Sequence, residues 1–99
     1  MFRETLMRKA WALCKQTEQC PTEIILKATI WLEEKYKEAP DSNAAAVIAL
    51  HYLMLAMRQD PRITAKIAKD YFSRAARWRE EAGRCASQRH LLTTAQSRN

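Results

Sequence analysis

Hydrophobic residues recur along most of this chain at intervals of three and four, the spacing of one face of an α-helix. Three prolines, Pro21, Pro40 and Pro61, divide this pattern into four segments. Proline is favoured at helix starts and just after helix ends. The pattern therefore predicts an all-α protein: a compact, four-helix bundle-like domain over residues 1–93, followed by a flexible tail over residues 94–99.

The first two segments predict amphipathic helices with one buried face each. We expect the first helix at about Phe2–Glu18 and the second from Pro21 to Ala39. The predicted buried face of the first carries Phe2, Leu6, Ala10, Leu13 and Cys14, with Met7 and Trp11 beside it. The predicted buried face of the second carries Ile24, Ile25, Ala28, Trp31, Leu32 and Tyr36. Glu33 and Lys37, four residues apart, are expected to pair on the solvent side.

The third segment predicts a helix that is buried on all sides. It starts at Asp41 or Ser42, both good capping residues, and runs to about Gln59. Between Ala44 and Met57 its circumference is apolar except for His51. A helix without a polar face packs in a core, so we predict an apolar central third helix. We interpret His51 as a core histidine bonded to a backbone carbonyl or a hydroxyl.

The fourth segment predicts a basic helix that starts with Asp60 as its cap and ends at Gly83, with one or two further turns possible after it. Its predicted inner face carries Ile63, Ile67, Tyr71, Ala75, Trp78, Ala82 and Cys85. The stretch ITAKIAKDYFSRAARW resembles the helix-turn-helix of phage-type repressors. However, Lys69 and Asp70 stand where the turn of that motif usually has a glycine, so we predict one continuous helix.

Charge is unevenly distributed along the chain. The net charge is +6, and the stretch before Arg58 holds seven basic and seven acidic residues. The last 42 residues, with ten basic and four acidic residues, therefore carry the whole excess. Such asymmetry favours an acidic partner, most often nucleic acid. The predicted phosphate-contacting residues are Arg62, Lys66, Lys69, Arg74 and Arg77, with Arg79, Arg84 and Arg89 extending the surface. The alternatives are a solvated helix face and a surface for an acidic protein.

A second strip on the fourth helix consists of Ala65, Ala68, Phe72 and Ala76. Small residues at helical spacing allow another helix to approach closely, and Phe72 would anchor it. We predict this strip as a contact with a partner protein or a second copy of the chain.

The sequence lacks the patterns of common catalytic and metal sites. Its cysteines and histidines are Cys14, Cys20, Cys85, His51 and His90, and none forms a zinc-type pair. It has no glycine-rich phosphate loop or nucleophile elbow. We therefore predict no enzyme, cofactor or metal. The odd cysteine count fits a reducing compartment, so we predict a cytoplasmic protein.

The longest uncharged run has about 14 apolar residues, fewer than the roughly 20 that span a membrane. We predict no membrane helix. The leading functional prediction is a small nucleic-acid-binding accessory or regulatory protein, which contacts DNA or RNA with low sequence specificity and could be a subunit of a larger nucleoprotein assembly. The alternative is a helical adaptor or inhibitor with an acidic protein partner, and a third is a self-assembling homodimer or larger complex.

Overall fold

The computed structural model describes the backbone of residues 2–16 and 19–97, and the side chains of residues 8–16 and 19–87. Four helices follow one another along the chain: α1 (Phe2–Gln16), α2 (Thr22–Glu38), α3 (Ser42–Met57) and α4 (Ala65–Ser97). No strand occurs within the described ranges, and the predicted all-α, bundle-like class is confirmed.

α3 lies at the centre, because each of the other three helices packs against it. Ile48 and Leu55 on this helix are fully buried. The Asp41 side chain caps the helix by accepting a hydrogen bond from the Ala44 amide, 3.4 Å away. The prediction of an apolar central third helix that starts after Asp41 is confirmed, although the helix ends at Met57, two residues earlier than predicted. The prediction that it is buried on all sides is wrong, because one side remains uncovered and Val47 there keeps 40% of its surface exposed.

α2 and α4 are joined directly by side chains. The Tyr36 ring meets the Trp78 ring edge to face, with centroids 4.9 Å apart and planes at 89°. The Tyr36 hydroxyl and the Cys85 thiol share a hydrogen bond with 2.9 Å between oxygen and sulfur. Burial, followed by this bond to Cys85, raises the pKa of Tyr36, so the hydroxyl stays protonated at neutral pH.

The buried face of α2 is rotated from the predicted one. The side chains turned inward are Ile25, Thr29, Leu32 and Tyr36, spaced as one helical stripe. Thr29 is fully buried, and its hydroxyl is satisfied there by donating to the Ile25 carbonyl at 2.8 Å. Ile24, Ala28 and Trp31 were predicted to be buried and are exposed instead, with Trp31 showing 59% of its surface. α2 carries two adjacent apolar stripes, and the position of α3 decides which one is covered.

α1 presents Ala10 to the core, with Leu13 and Cys14 half-buried beside it, as predicted. Trp11 was placed next to this face, yet it keeps 55% of its surface exposed. The other predicted core residues of α1 lie outside the described side chains: Phe2, Leu6 and Met7.

α4 does not begin at Asp60 and Pro61. The Asp60 carboxylate accepts a hydrogen bond from the Arg62 amide at 2.9 Å, and the Asp60 carbonyl accepts one from Ile63 at 2.9 Å. These bonds close a turn rather than a helix. The cap is Thr64, whose hydroxyl accepts from the Ile67 amide at 3.3 Å, and the helix begins at the next residue.

Gly83 does not end α4, so the predicted stop is wrong. Its φ is not positive, which means that it does not form the left-handed cap on which the prediction rested. The helix continues through residues 84–93 and includes residues 94–97 of the predicted tail. Residues 98 and 99 lie outside the described part of the chain. The prediction of one continuous helix in place of a helix-turn-helix is confirmed.

The inner face of α4 follows the prediction in its middle part. Ala75 and Ala82 are buried, and Tyr71, Trp78 and Cys85 are half-buried. The two isoleucines assigned to this face differ. Ile63 lies in the turn before the helix, and Ile67 in the first turn keeps 39% of its surface exposed.

Two predicted polar contacts also have a different geometry. Lys37 pairs with Glu34 at 3.5 Å, whereas Glu33 accepts a hydrogen bond from the Tyr52 hydroxyl at 2.9 Å. His51 donates from Nδ1 to the Val47 carbonyl at 2.8 Å, which confirms a backbone partner. His51 is half-buried, so it is not the core histidine that we predicted.

Candidate nucleic-acid interface

The basic residues predicted to contact phosphates divide into two sets in the structure. The first set is held in ion pairs. Arg74 donates to Asp70 at 2.9 Å, one helical turn away. Arg84 donates from Nε to Glu81 at 2.6 Å. Because a carboxylate partner neutralises much of the local field, these side chains offer less to a phosphate than their number suggests.

Arg62 belongs to the same set and lies in a polar cluster before α4. We call this group the loop cluster; it consists of Thr22, Glu23, Arg58, Asp60 and Arg62. Asp60 accepts from the Arg62 guanidinium at 3.0 and 3.2 Å and from the Thr22 hydroxyl at 2.5 Å. Arg58 donates to the Thr22 hydroxyl at 2.8 Å, and Arg62 also donates to Glu23. The loop cluster fastens the start of α2 to the link between α3 and α4.

The loop cluster changes the acidity of its carboxyl groups. Hydrogen bonds from Arg62 and then from Thr22 hold the pKa of Asp60 well below its usual range. The pKa of Glu23 is also lowered, first by a backbone hydrogen bond and next by Arg62. Both carboxylates are therefore ionised at neutral pH.

The second set is open to solvent. Lys66, Lys69 and Arg77 are exposed, and none forms an ion pair with a carboxylate of the described residues. We call these three residues the open stripe. Intervals of three and eight residues place them on one side of α4, over roughly 16 Å at about 1.5 Å per residue.

Arg79 and Arg89, predicted to extend the surface, do not add to the open stripe in the described structure. Arg79 is half-buried near the inner side of the helix. The side chain of Arg89 lies outside the described residues.

A groove of about 390 Å³ borders the open stripe between α2 and α4. Arg77 and Arg74 line it together with Trp78 and two carboxylates, Glu33 and Glu81. The Arg74 guanidinium lies 5.9 Å from the centre of the Tyr52 ring. Because arginines and carboxylates alternate in its lining, this groove is a poor site for a polyanion. We therefore do not extend the candidate phosphate-binding surface from the open stripe into the groove.

The strip predicted as a partner contact is partly open. Phe72 keeps 42% of its surface exposed and Ala65 is exposed as well. Ala68 and Ala76 are half-buried. The structure thus leaves an apolar anchor beside the open stripe, on the same helix.

Sequence reasoning missed a second basic and aromatic region. A groove of about 430 Å³ is lined by Trp11 and Lys15 of α1 and by Arg58, Asp60 and Arg62 of the loop cluster. We call it the Trp11 groove. The helical spacing placed Trp11 beside the predicted buried face of α1, so this region was not predicted as a surface site. The sequence did contain one indication of this region: Lys15 follows Trp11 by four residues, and that spacing puts a basic and an aromatic side chain on one helix face.

Other types of site find little support in the described part of the chain. No group of three metal-ligating side chains occurs there. All three cysteines are free thiols, and burial raises the pKa of Cys14. No described helix combines the length and apolar character needed to cross a membrane.

Comparison with protein-family profiles, with curated proteins and with solved structures gives no match for this chain.

Proposed function

We propose that this protein is a small nucleic-acid-binding accessory or regulatory protein that holds backbone phosphates with the open stripe of α4. The observation that carries the proposal is the exposure of Lys66, Lys69 and Arg77 without carboxylate partners among the described residues. A cation that is not neutralised by its own protein attracts a polyanion most strongly.

The proposal concerns affinity and not sequence recognition. Lysine and arginine contacts to phosphates position a protein on DNA or RNA without reading bases. We therefore expect low sequence specificity, as for one subunit of a larger nucleoprotein assembly. In this proposal the protein acts in the cytoplasm by binding, without catalysis and without a cofactor or metal.

The test is a charge reversal on the open stripe. The variant Lys66→Glu/Lys69→Glu/Arg77→Glu is titrated against a fluorescent oligonucleotide of about 20 nucleotides, with anisotropy as the signal. The matched control reverses three exposed lysines of α2: Lys27, Lys35 and Lys37. Each variant loses three charges and gains three opposite ones, so both fall from +6 to zero.

We expect the open-stripe variant to bind at least tenfold more weakly than the wild type and the α2 variant to lose less than about threefold. Circular dichroism confirms that both remain helical. Equal losses of affinity in both variants would show that only net charge matters. The assignment of phosphate binding to the open stripe would then be wrong. Absence of binding by the wild type at about 50 mM salt would remove the proposal altogether.

A second function, a helical adaptor or inhibitor of an acidic protein, is favoured by one observation. Phe72 keeps 42% of its surface exposed beside the open stripe. Light scattering on Phe72→Glu separates this adaptor function from the third alternative, self-association through the same strip. Ile67→Glu is the matched control, because Ile67 is similarly exposed at 39% on another side of α4. A wild-type dimer that only Phe72→Glu dissociates would make the strip a contact between two copies.

A further inference from the structure

The Trp11 groove has the size and lining of a ligand site. Its volume of about 430 Å³ falls in the range of small-molecule pockets. Trp11, the largest side chain of its wall, keeps 55% of its surface exposed. An indole at a concave, solvent-accessible surface is the kind of aromatic face on which a nucleobase stacks.

The groove also carries an excess of positive charge. Among the described residues, its lining carries three cations, Lys15, Arg58 and Arg62, and one carboxylate, Asp60. Glu23 also pairs with Arg62, which leaves one positive charge. The Lys15 ammonium lies over one face of the Trp11 ring, 5.4 Å from its centre. A nucleotide that stacks on this face displaces the ammonium from the ring, and Lys15 is then within reach of the phosphate. The groove therefore offers both an aromatic face and cations, which are the two things that a nucleotide requires.

Arg62 is held in position for a further contact. It donates twice to Asp60 and once to Glu23. A guanidinium has five N–H groups, so these three bonds leave two. The two carboxylates weaken the attraction of Arg62 for a phosphate, but they also fix its guanidinium. Its two remaining donors therefore have a defined direction and lose less side-chain entropy on binding.

The Trp11 groove and the open stripe are close to each other along the chain, separated by the turn before α4. Arg62 lines the groove and stands four residues before Lys66, the first member of the stripe.

We propose that the Trp11 groove binds one nucleotide of a single-stranded nucleic acid, with its base stacked on Trp11 and its phosphate near Lys15 and Arg62. This inference rests on the proposed nucleic-acid-binding function and specifies its substrate. A base paired within a duplex is stacked on its neighbours and does not reach a side-chain platform without being flipped out. The ligand is therefore a single strand.

The experiment compares two fluorescent strands of about 12 nucleotides: oligothymidylate and a strand of the same length whose sites are all abasic. Both carry the same phosphates, so their difference reports on the bases alone. Loss of base stacking on one aromatic side chain weakens binding roughly five- to hundredfold. We expect the wild type to prefer oligothymidylate at least about fivefold and Trp11→Ala to bind both strands equally.

Trp31→Ala is the matched control. Trp31 is exposed to a similar extent, 59%, and has a lysine 5.5 Å from its ring, as Trp11 does, but it does not line the groove. It should retain the wild-type preference. Equal loss of preference in both variants would contradict a specific groove. Binding of free thymidine monophosphate as tightly as the strand would assign the groove to a mononucleotide and overturn the single-strand inference.

The outcomes separate this inference from the proposed function. If the wild type binds both strands equally, and the open-stripe variant loses both, phosphate binding stands and the base site is wrong. If neither strand binds at about 50 mM salt, the proposed function itself fails, together with this inference.

Discussion

α3 and α4 pack along each other, yet their sequences require different surroundings. α3 has 16 residues and none of them is Asp, Glu, Lys or Arg. α4 has 33 residues with seven basic and three acidic side chains among them. The contact between them therefore joins α3, which is mostly buried in the core, to α4, which has one buried face and one solvent-exposed face.

In the proposed function, α3 stabilises the fold and the outer side of α4 binds the partner. α3 contributes Ile48 and Leu55 to the core, and α4 contributes Ala75 and Ala82 on one side only. The outer side of α4 makes little contribution to folding and is available to a partner. A count of basic residues in the sequence overstates the positive charge that α4 offers to a partner, because Arg74 and Arg84 are paired with carboxylates of their own helix.

The largest expected effect is on the α3 side of the comparison. Leu55→Ala removes a fully buried side chain and should lower the free energy of unfolding by about 2–5 kcal/mol. Urea unfolding followed by circular dichroism measures it. The oligonucleotide affinity of the remaining folded protein should not change. A change in affinity as large as that of the open-stripe variant would mean that the two helices do not have separate roles.

The next effect concerns the paired arginines of α4. Asp70→Asn/Glu81→Gln removes the carboxylates that hold Arg74 and Arg84, so two more cations become available to phosphates. We expect affinity to rise about three- to tenfold at low salt, measured by anisotropy. The matched control, Glu34→Gln/Glu38→Gln, releases Lys37 and Lys35 of α2 with the same change in net charge. An equal rise in affinity in the control would contradict the claim that the phosphates bind to α4.

Gly83 tests whether α4 continues as one helix. The residue is exposed, its φ is not positive and a Cβ there would meet no atom within 4 Å. Gly83→Ala should therefore raise the free energy of unfolding by about 0.5–1 kcal/mol, because alanine loses less backbone entropy in a helix. Thermal unfolding gives the value. Destabilisation by this substitution would place a helix end at Gly83 after all.

The smallest effect lies in the loop cluster and depends on pH. The pKa of Asp60 is lower in the folded protein than the unfolded value of about 3.9, so its stabilisation is present above about pH 4 and is lost as the pH falls further. Asp60→Asn lacks this contribution at every pH. Urea unfolding between about pH 7 and 2 should show a shallower loss of stability for the variant than for the wild type. Parallel curves would contradict the lowered pKa.

The fold was largely predictable from the sequence because its strongest signals are local. A run of apolar residues without charge places α3 at the centre, and Asp41 marks its start. The errors occur where a local signal has two outcomes. Asp60 and Pro61 suit a turn as well as a helix start, and the bonds of Asp60 to Arg62 decide for the turn.

The candidate site was less predictable, because its properties depend on contacts that are distant in sequence. Arg62 meets Glu23, which lies 39 residues away, and no periodicity reveals that pair. The same holds for Trp11, whose exposure depends on how α1 is rotated against α3. The open stripe has the solvent-facing position that the helical spacing predicted, and its residues form no ion pair with a described carboxylate.

The most direct test of the account is the salt dependence of oligonucleotide binding by the wild-type protein. Binding through the three cations of the open stripe should give a plot of log affinity against log salt with a slope of about −2 to −3. Between about 50 and 200 mM salt, this corresponds to a loss of roughly 15- to 65-fold. A slope near zero, with binding retained at high salt, would show that phosphates are not what α4 holds.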